Sequence, residues 1–314
     1  MELTRRKFLQ LAGSLTGAAA IGAVALPREA SATEEFPGYP NRYGLLTDTT
    51  LCIGCRMCEN ACAQAHNLPA PQVGPQVLEK TRRTDAKSFT VVNRYPNPKN
   101  DKVPIYRKIQ CFHCNEPACV SACLVGALKK TPEGPVIYNE DVCIGCRYCM
   151  NACPYSMPTY EYDDPITPAI QKCIMCYERV VQPGGVPACA SICPLKATIF
   201  GKRSDLLRIA HERINKTPER YVDHVYGEKE VGGTGWLYLA SVPFDQLGLP
   251  TDLGTTPYPE YTRDFLLGVP LVLTMWPALF MGVSAISKER DKAGQRTSDD
   301  HTEVSTDDRT EVTR

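Results

Sequence analysis

The sequence has no excess of charge of either sign. Its 314 residues include 35 lysines and arginines and 35 aspartates and glutamates, which gives a formal net charge of zero. Proteins that bind nucleic acid usually concentrate basic residues on one face, and no such basic field stands out here. The composition therefore argues against nucleic acid as a partner.

The usual catalytic motifs are also missing. Only five histidines occur, and they show no metal-ligand spacing. No Ser–His–Asp arrangement and no carboxylate pair stands out. The glycines of residues 232–235 lack the G-x-G-x-x-G spacing of a nucleotide-binding loop, so we predict a turn there. We therefore expect no catalytic residue on this chain, which would not be an enzyme by itself.

No cysteine is left over when the sixteen are grouped in fours. The sets are Cys52, Cys55, Cys58 and Cys62; Cys111, Cys114, Cys119 and Cys123; Cys143, Cys146, Cys149 and Cys153; Cys173, Cys176, Cys189 and Cys193. The first and third read C-x2-C-x2-C-x3-C, the spacing that places thiolates around a [4Fe–4S] cube, while the second and fourth lengthen the middle gap. We expect the fourth cysteine to begin a helix and to face another cluster. The pattern predicts four [4Fe–4S] sites.

Two other uses of cysteine compete with this interpretation. Structural zinc sites normally hold two C-x2-C pairs separated by a longer spacer, which three cysteines within seven residues fit poorly. An even cysteine count in an exported protein could indicate disulfides, and zinc in the purified chain would favour a structural or metal-storage protein. A self-sufficient cluster enzyme is disfavoured because four fully ligated cubes leave no open iron.

The N-terminus resembles a twin-arginine export signal. Arg5 and Arg6 precede a mildly apolar stretch, and residues 30–32 read Ala-Ser-Ala, a signal-peptidase pattern. We predict that residues 1–32 are a signal peptide, with an uncleaved N-terminal anchor as the alternative. That export route, as the resemblance implies, carries folded proteins, so the clusters would be assembled in the cytoplasm. Assembly there argues against a disulfide framework.

A second apolar segment lies near the C-terminus. Residues 265–287 contain 23 positions without a charge, and a helix of this length spans about 34 Å, enough for a hydrocarbon core of about 30 Å. We predict a transmembrane helix over 264–287, with a buried core helix as the alternative. The segment contains no histidine, so this chain carries no haem there and quinone chemistry needs a partner subunit.

The flanking charges predict the orientation. Lys288, Arg290, Lys292 and Arg296 follow the apolar segment, whereas Arg263 and Asp264 cancel before it. The positive-inside rule then places residues 33–263 outside the cytoplasm. The chain would be a single-pass protein on the periplasmic side of the bacterial inner membrane, with residues 288–314 as a disordered cytoplasmic tail.

Short strands and helices are predicted around the cysteine loops. Strand patterns occur at residues 89–92, 134–138, 197–200 and 236–240, and residues 205–215 show helical apolar spacing. The fold class is therefore α+β, with two interleaved ferredoxin-like units of two [4Fe–4S] sites each and one C-terminal transmembrane helix. The four-cluster domain would cover 33–263, with the second unit inserted at about 104–162.

The four cysteine sets, the segment CPYSMP from Cys153 to Pro158 and the segment YGEKEVGGT at 226–234 together resemble a known family. It comprises the iron–sulfur electron-transfer subunits of membrane-bound respiratory oxidoreductases. The resemblance is strongest to the anchored subunit of periplasmic quinone-linked nickel–iron hydrogenase, followed by formate dehydrogenase beta subunits. The cysteine pattern is specific for the superfamily but not for the catalytic partner.

The resemblance implies that each set exchanges its fourth cysteine with another set. The implied ligands are Cys52, Cys55, Cys58 and Cys193 for cluster 1; Cys111, Cys114, Cys119 and Cys153 for cluster 2; Cys143, Cys146, Cys149 and Cys123 for cluster 3; Cys173, Cys176, Cys189 and Cys62 for cluster 4. It also implies a chain of clusters with the Cys52 end toward a catalytic subunit and the Cys173 end toward the membrane.

The implied function is a relay of single electrons from a periplasmic nickel–iron or molybdenum catalytic subunit to a membrane quinone-reactive subunit, with or without haem b. The alternative is the reverse flow, from quinol to a molybdenum reductase of the polysulfide, sulfur-oxyanion or dimethyl-sulfoxide type. Arg56 and Arg147 lie inside cluster loops, where a positive charge would favour the reduced cluster, and His113 could donate a hydrogen bond to a cluster. A solvated role for these side chains is the alternative.

Overall fold

The computed structural model describes residues 41–166 and 168–303, and side chains up to residue 292. The predicted signal peptide at 1–32 and the last eleven residues of the predicted tail lie outside these ranges. The helices are α1 Met57–Ala65, α2 Ala118–Ser121, α3 Tyr148–Ala152, α4 Tyr177–Val180, α5 Ala188–Ser191, α6 Arg203–Lys216 and α7 Tyr258–Glu303. Short 3-10 turns occupy Pro75–Leu78, Glu230–Gly232 and Phe244–Leu247.

Nine short strands form one three-stranded sheet and three hairpins in the described part of the chain. The strands are β1 Tyr43–Asp48, β2 Val91–Tyr95, β3 Ile105–Ile109, β4 Leu128–Lys130, β5 Val136–Tyr138, β6 Thr159–Tyr160, β7 Ile170–Gln171, β8 Thr198–Lys202 and β9 Trp236–Leu239. The sheet has the order β8-β1-β9, while β2–β3, β4–β5 and β6–β7 are antiparallel pairs. The predicted strands and the helix at 205–215 are confirmed to within a few residues.

The central sheet separates two apolar layers because side chains alternate along a strand. Leu46, Leu237 and Leu239 pack against α6 on one face. On the other face, Leu45, Trp236 and Tyr238 join a core that contains several of the cysteines. Strand β1 pairs antiparallel with β8 and parallel with β9, with Leu45 opposite Trp236. The sheet therefore presents two large aromatic side chains to the cysteine layer.

Each cysteine set has a helix that starts one residue before its third cysteine, at Met57, Ala118, Tyr148 and Ala188. The expectation that the fourth cysteine begins a helix is therefore wrong: Cys62 lies inside α1, and Cys123, Cys153 and Cys193 follow a short helix. Left-handed residues explain the early start in the first and third sets, where Arg56 (φ 61°) and Arg147 (φ 60°) reverse the chain just ahead of the helix.

Helix α7 is the single helix in the described ranges that is long and apolar enough to cross a membrane, over Tyr258–Lys292. Its apolar side chains are exposed, among them Phe265 (75%) and Leu273 (67%), so no protein layer covers them. The helix continues to Glu303, and the prediction of disorder is wrong for 288–303. Residues 288–296 are mostly Lys, Arg, Glu, Ala and Gln, which are good helix formers.

The start of α7 is held by the rest of the fold. The backbone N–H of Val231 donates to Gly254 O at 3.0 Å, and that of Gly232 donates to Thr255 O at 2.7 Å. Helix α7 also contacts α2, which carries Cys119. The apolar helix therefore leaves the domain on the side of the second cysteine set.

Candidate iron–sulfur centres

All sixteen cysteines are free thiols, so the structure forms none of the disulfides considered as an alternative. Across the described residues, no group of three or more His, Cys, Asp or Glu side chains converges closely enough to hold a single metal ion. Zinc would require four sulfurs about 3.8 Å apart, since each Zn–S bond is about 2.3 Å. A [4Fe–4S] cube is larger than one zinc ion and holds its four sulfur ligands farther apart.

The first site combines residues that are far apart in the sequence. Cys52, Cys55, Cys58 and Cys193 line one cavity, together with Cys189 and Lys108. Burial raises the pKa of Cys52, and the neighbouring Cys55 and Cys193 thiolates raise it further. The structure thus brings the last cysteine of the fourth set to three cysteines of the first.

The reciprocal exchange involves Cys62. Burial raises the pKa of Cys62 to about 12, with further increases from the charges of Cys189 and Cys176 and an opposing effect of Lys108. Burial also raises the pKa of Cys173, and the largest further increase comes from the charge of Cys62. Helices α1 and α5 pack together, which explains why Cys62 and Cys189 are neighbours.

The second unit shows the same exchange. Burial is the largest cause of the raised pKa of Cys114. The charges of Cys153, Cys111 and Cys119 raise it further, in decreasing order. Burial raises the pKa of Cys149 to about 11, and the charges of Cys123, Cys143 and Cys146 add to it. Because these thiols resist ionisation when no metal is present, iron binding must displace their protons.

Backbone N–H groups point at several of these sulfurs. Donors lie 3.2–3.5 Å from the sulfurs of Cys111, Cys123, Cys143, Cys153 and Cys173, and they belong to residues two or four positions later. Such hydrogen bonds stabilise a thiolate and its cluster. The donor set is therefore chemically suited to the predicted clusters.

Cysteines of different sets lie near one another, and these proximities give the order of the four cysteine sets in space. Cys58 lies near Cys189, Cys173 lies near Cys111, and Cys119 lies near Cys149. The Cys173 set is therefore interior, and the expectation that it forms the membrane end is wrong. The ends are the Cys52 and Cys143 sets, which contain the two exposed cysteines, Cys55 and Cys146.

His113 fits the predicted role of a hydrogen-bond donor to a cluster. Its side chain is fully buried, and its Nδ1 accepts the N–H of Val136 at 3.0 Å. The neutral ring then carries its proton on Nε2, and this buried atom has no partner among the described residues. A cluster on Cys111, beside His113, would supply the missing acceptor.

Arg56 and Arg147, the two arginines predicted as tuning charges, differ in their partners. Arg56 bonds Glu59 through Nε at 3.1 Å and through a terminal nitrogen at 2.8 Å, so a carboxylate partly cancels its charge. Arg147 is exposed, and its guanidinium lies 5.2 Å from the centre of the Tyr160 ring. Only Arg147 therefore presents its charge without a carboxylate partner among the described residues.

Two further side chains were missed by sequence reasoning. The Nε2 atom of His66, which follows α1, lies 3.4 Å from the sulfur of Cys176. Lys108 is buried on β3 beside cysteines of two different sets. No local pattern marks either residue, because each reaches the cysteines only through packing between distant segments.

Comparison with known proteins agrees with this geometry. Residues 104–203 match the 4Fe-4S dicluster domain family. A protein of Nitratidesulfovibrio vulgaris (Hildenborough) is 52% identical over 92% of this chain and 78% of its own length. The hydrogenase-2 operon protein HybA of Escherichia coli O157:H7 is 37% identical over 81% of this chain and 86% of its own.

A third relative is the iron–sulfur subunit of the nitrate-inducible formate dehydrogenase of Escherichia coli K12. It is 34% identical over 68% of this chain and 74% of its own length. The matched domain and these relatives show the family of the chain. It belongs to the ferredoxin-type iron–sulfur subunits that include HybA and the iron–sulfur subunits of formate dehydrogenase.

Proposed function

We propose that the chain passes single electrons through four [4Fe–4S] clusters bound by its sixteen cysteines. The ligand sets are Cys52, Cys55, Cys58 and Cys193; Cys62, Cys173, Cys176 and Cys189; Cys111, Cys114, Cys119 and Cys153; Cys123, Cys143, Cys146 and Cys149. The observation that carries the proposal is the exchange of the fourth cysteine, since paired ferredoxin clusters use this arrangement. The chain itself is a non-catalytic component.

A bound cluster supplies a centre that gains and loses one electron, at a potential set by its surroundings. The protein leaves two of the sixteen cysteines exposed, points N–H groups at several sulfurs and places basic side chains nearby. The N–H groups and basic side chains stabilise the reduced, more negative state, and the surrounding protein limits contact with water.

The relay would run from the Cys52 set through the Cys173 and Cys111 sets to the Cys143 set. At its two ends, Ile53 (59%) and Ile144 (63%) are exposed beside Cys55 and Cys146, which suits contact with other subunits. The Cys143 end faces the membrane in this proposal, because α7 contacts α2 in the same unit.

The partners follow from the relatives. A hydrogenase or formate dehydrogenase type of catalytic subunit would contact the Cys52 end, and a quinone-reactive membrane subunit would contact the Cys143 end. Helix α7 would anchor the chain in lipid with the cysteine domain in the periplasm. The same relay run from quinol to a molybdenum reductase is the second candidate, since the site itself sets no direction.

Metal and sulfide analysis of the full chain tests the cluster proposal. Protein purified without oxygen from detergent-solubilised membranes should contain about sixteen irons and a similar amount of acid-labile sulfide per chain. Zinc, or cystines in place of iron, would contradict it. Identification of the co-purified subunits tests the partners: a nickel–iron or molybdenum subunit supports the relay, and a chain isolated alone from intact membranes speaks against it.

A further inference from the structure

Lys108 is a buried cation in the middle of the molecule. Its exposed fraction is 2%. It lies on β3, whose side chains alternate, so that Lys108 and Tyr106 share one face of the strand. Tyr106 approaches Gly54 in the first cysteine loop, which shows that this face points toward the Cys52 set.

Two contacts fix the position of the ammonium group. Lys108 Nζ lies 4.3 Å from the centre of the Trp236 ring, a cation–π contact, and donates to Gln110 Oε1 at 3.1 Å. Gln110 Nε2 donates to the Tyr238 hydroxyl at 2.5 Å, and that hydroxyl donates to the backbone oxygen of Lys108 at 2.8 Å. This closed ring of hydrogen bonds places the charge without neutralising it, because it contains no carboxylate.

The sulfurs around Lys108 belong to two proposed clusters. The side chain lines the cavity of the Cys52 set. Cys58 and Cys189 line the same cavity. Cys58 belongs to the first of these clusters, and Cys189 belongs to the second.

We propose that Lys108 is a shared counter-charge that raises the reduction potentials of the Cys52-set and Cys173-set clusters together. An added electron makes a cluster more negative, and a buried cation stabilises that state strongly because the surrounding dielectric constant is low. One cation between two clusters acts on both, because it stabilises an added electron on either of them. The inference rests on the cluster assignment of the proposed function.

Two other lysines, Lys130 and Lys172, differ from Lys108 in the atoms that surround them. Lys130 donates to the backbone oxygens of His113 and Gly134, and the thiolates nearest to it are those of Cys114 and Cys111. Lys172 donates to the backbone oxygens of Val136 and Cys173. Lys130 is therefore the comparison position, because it is a half-buried lysine that lies beside one cluster.

The test is a redox titration of the full chain in its membrane complex, followed by electron paramagnetic resonance. In Lys108→Met, two of the four midpoint potentials should fall together while the other two stay in place. Lys108→Arg keeps the charge and should stay near the wild type. Lys130→Met should lower one potential at most, that of the Cys111-set cluster.

Iron content separates the possible failures. Fewer than about sixteen irons in the wild type contradicts the proposed function itself. With full iron, a fall of one potential, of none, or of all four in Lys108→Met overturns the shared counter-charge. If Lys108→Met loses iron, Gln110→Glu replaces it, because a carboxylate would neutralise the ammonium in place, and it must lower the same two potentials. Loss of iron from both variants also counts against the proposal, since a tuning charge is dispensable for cluster assembly.

Discussion

The first and third cysteine loops have the same motif but different surroundings. Residues 52–58 and 143–149 share the cysteine spacing, an Ile-Gly pair after the first cysteine and an arginine after the second. The backbone follows the motif: Gly54 and Gly145 have φ of +69° and +67°, and the two arginines have nearly equal left-handed φ. The motif therefore determines the shape of the loop.

The surroundings determine how each loop is stabilised. In the first loop, the buried carboxylate of Glu59 accepts hydrogen bonds from Arg56, Arg82 and the N–H of Val92. In the third loop, the corresponding position is Met150, and Arg147 lies over the ring of Tyr160. Through Glu59, the first loop is thus held against hairpin β2–β3 by ion pairs and a backbone hydrogen bond. The third loop has no carboxylate at this position. The end at Cys52 should be the more rigid one.

The largest effect is expected for Glu59→Gln. The change leaves two arginines without their carboxylate, and breaking a buried ion pair costs about 3–5 kcal/mol; the Glu59 side chain is 2% exposed. The guanidinium midpoint for loss of the iron–sulfur absorbance should fall well below that of the wild type. The matched variant Met150→Gln should change the midpoint much less, and equal losses would contradict the difference between the loops.

A smaller difference is expected between Gly54→Ala and Gly145→Ala. Both variants place a side chain at positive φ, which costs about 1–2 kcal/mol. At Gly54, the added Cβ would also lie 2.4 Å from the ring of Tyr106, whereas at Gly145 the nearest atom, the Tyr160 hydroxyl, is 3.5 Å away. Crowding should add about 1–3 kcal/mol at Gly54 only.

The same unfolding experiment measures this difference. Tyr106→Leu provides the control, because a smaller side chain at 106 should remove most of the extra cost of Gly54→Ala and none of the cost of Gly145→Ala. Equal costs for the two glycine variants would show that the loop at Cys52 can move away from β3, which would contradict its greater rigidity.

The sequence predicted the parts of the fold that depend on local pattern. Cysteine spacing predicted the four cysteine sets, and alternation predicted strands such as β9. The order of the sites in space could not be predicted, because it depends on packing between distant segments, such as those that place Cys173 and Cys111 in one core cluster. Lys108 was missed for the same reason, since an isolated lysine in a strand looks like a solvated side chain.

The two arginines show that one motif position can have different roles in two loops. Both were predicted as tuning charges from their position in the loops, but Glu59, three residues after Arg56, changes the role of one of them. The structure thus separates a stabilising arginine in the first loop from an exposed one in the third. Sequence alone could not show that Glu59 is buried against Arg82.

The smallest effect is expected for Arg147→Ala, which removes the exposed charge of the third loop. Exposed charges interact by about 1 kcal/mol or less, and for one electron 1 kcal/mol corresponds to about 40 mV. The potential of the Cys143-set cluster should therefore fall by no more than about 40 mV, with the wild-type value retained in Arg147→Lys. Because the Debye length is about 10 Å at 0.1 M salt, this shift should shrink as salt is added, whereas that of Lys108→Met should persist. An unchanged titration of Arg147→Ala at low salt would show that the arginine serves the backbone turn alone, and the two loops would then differ in stability but not in electrostatics.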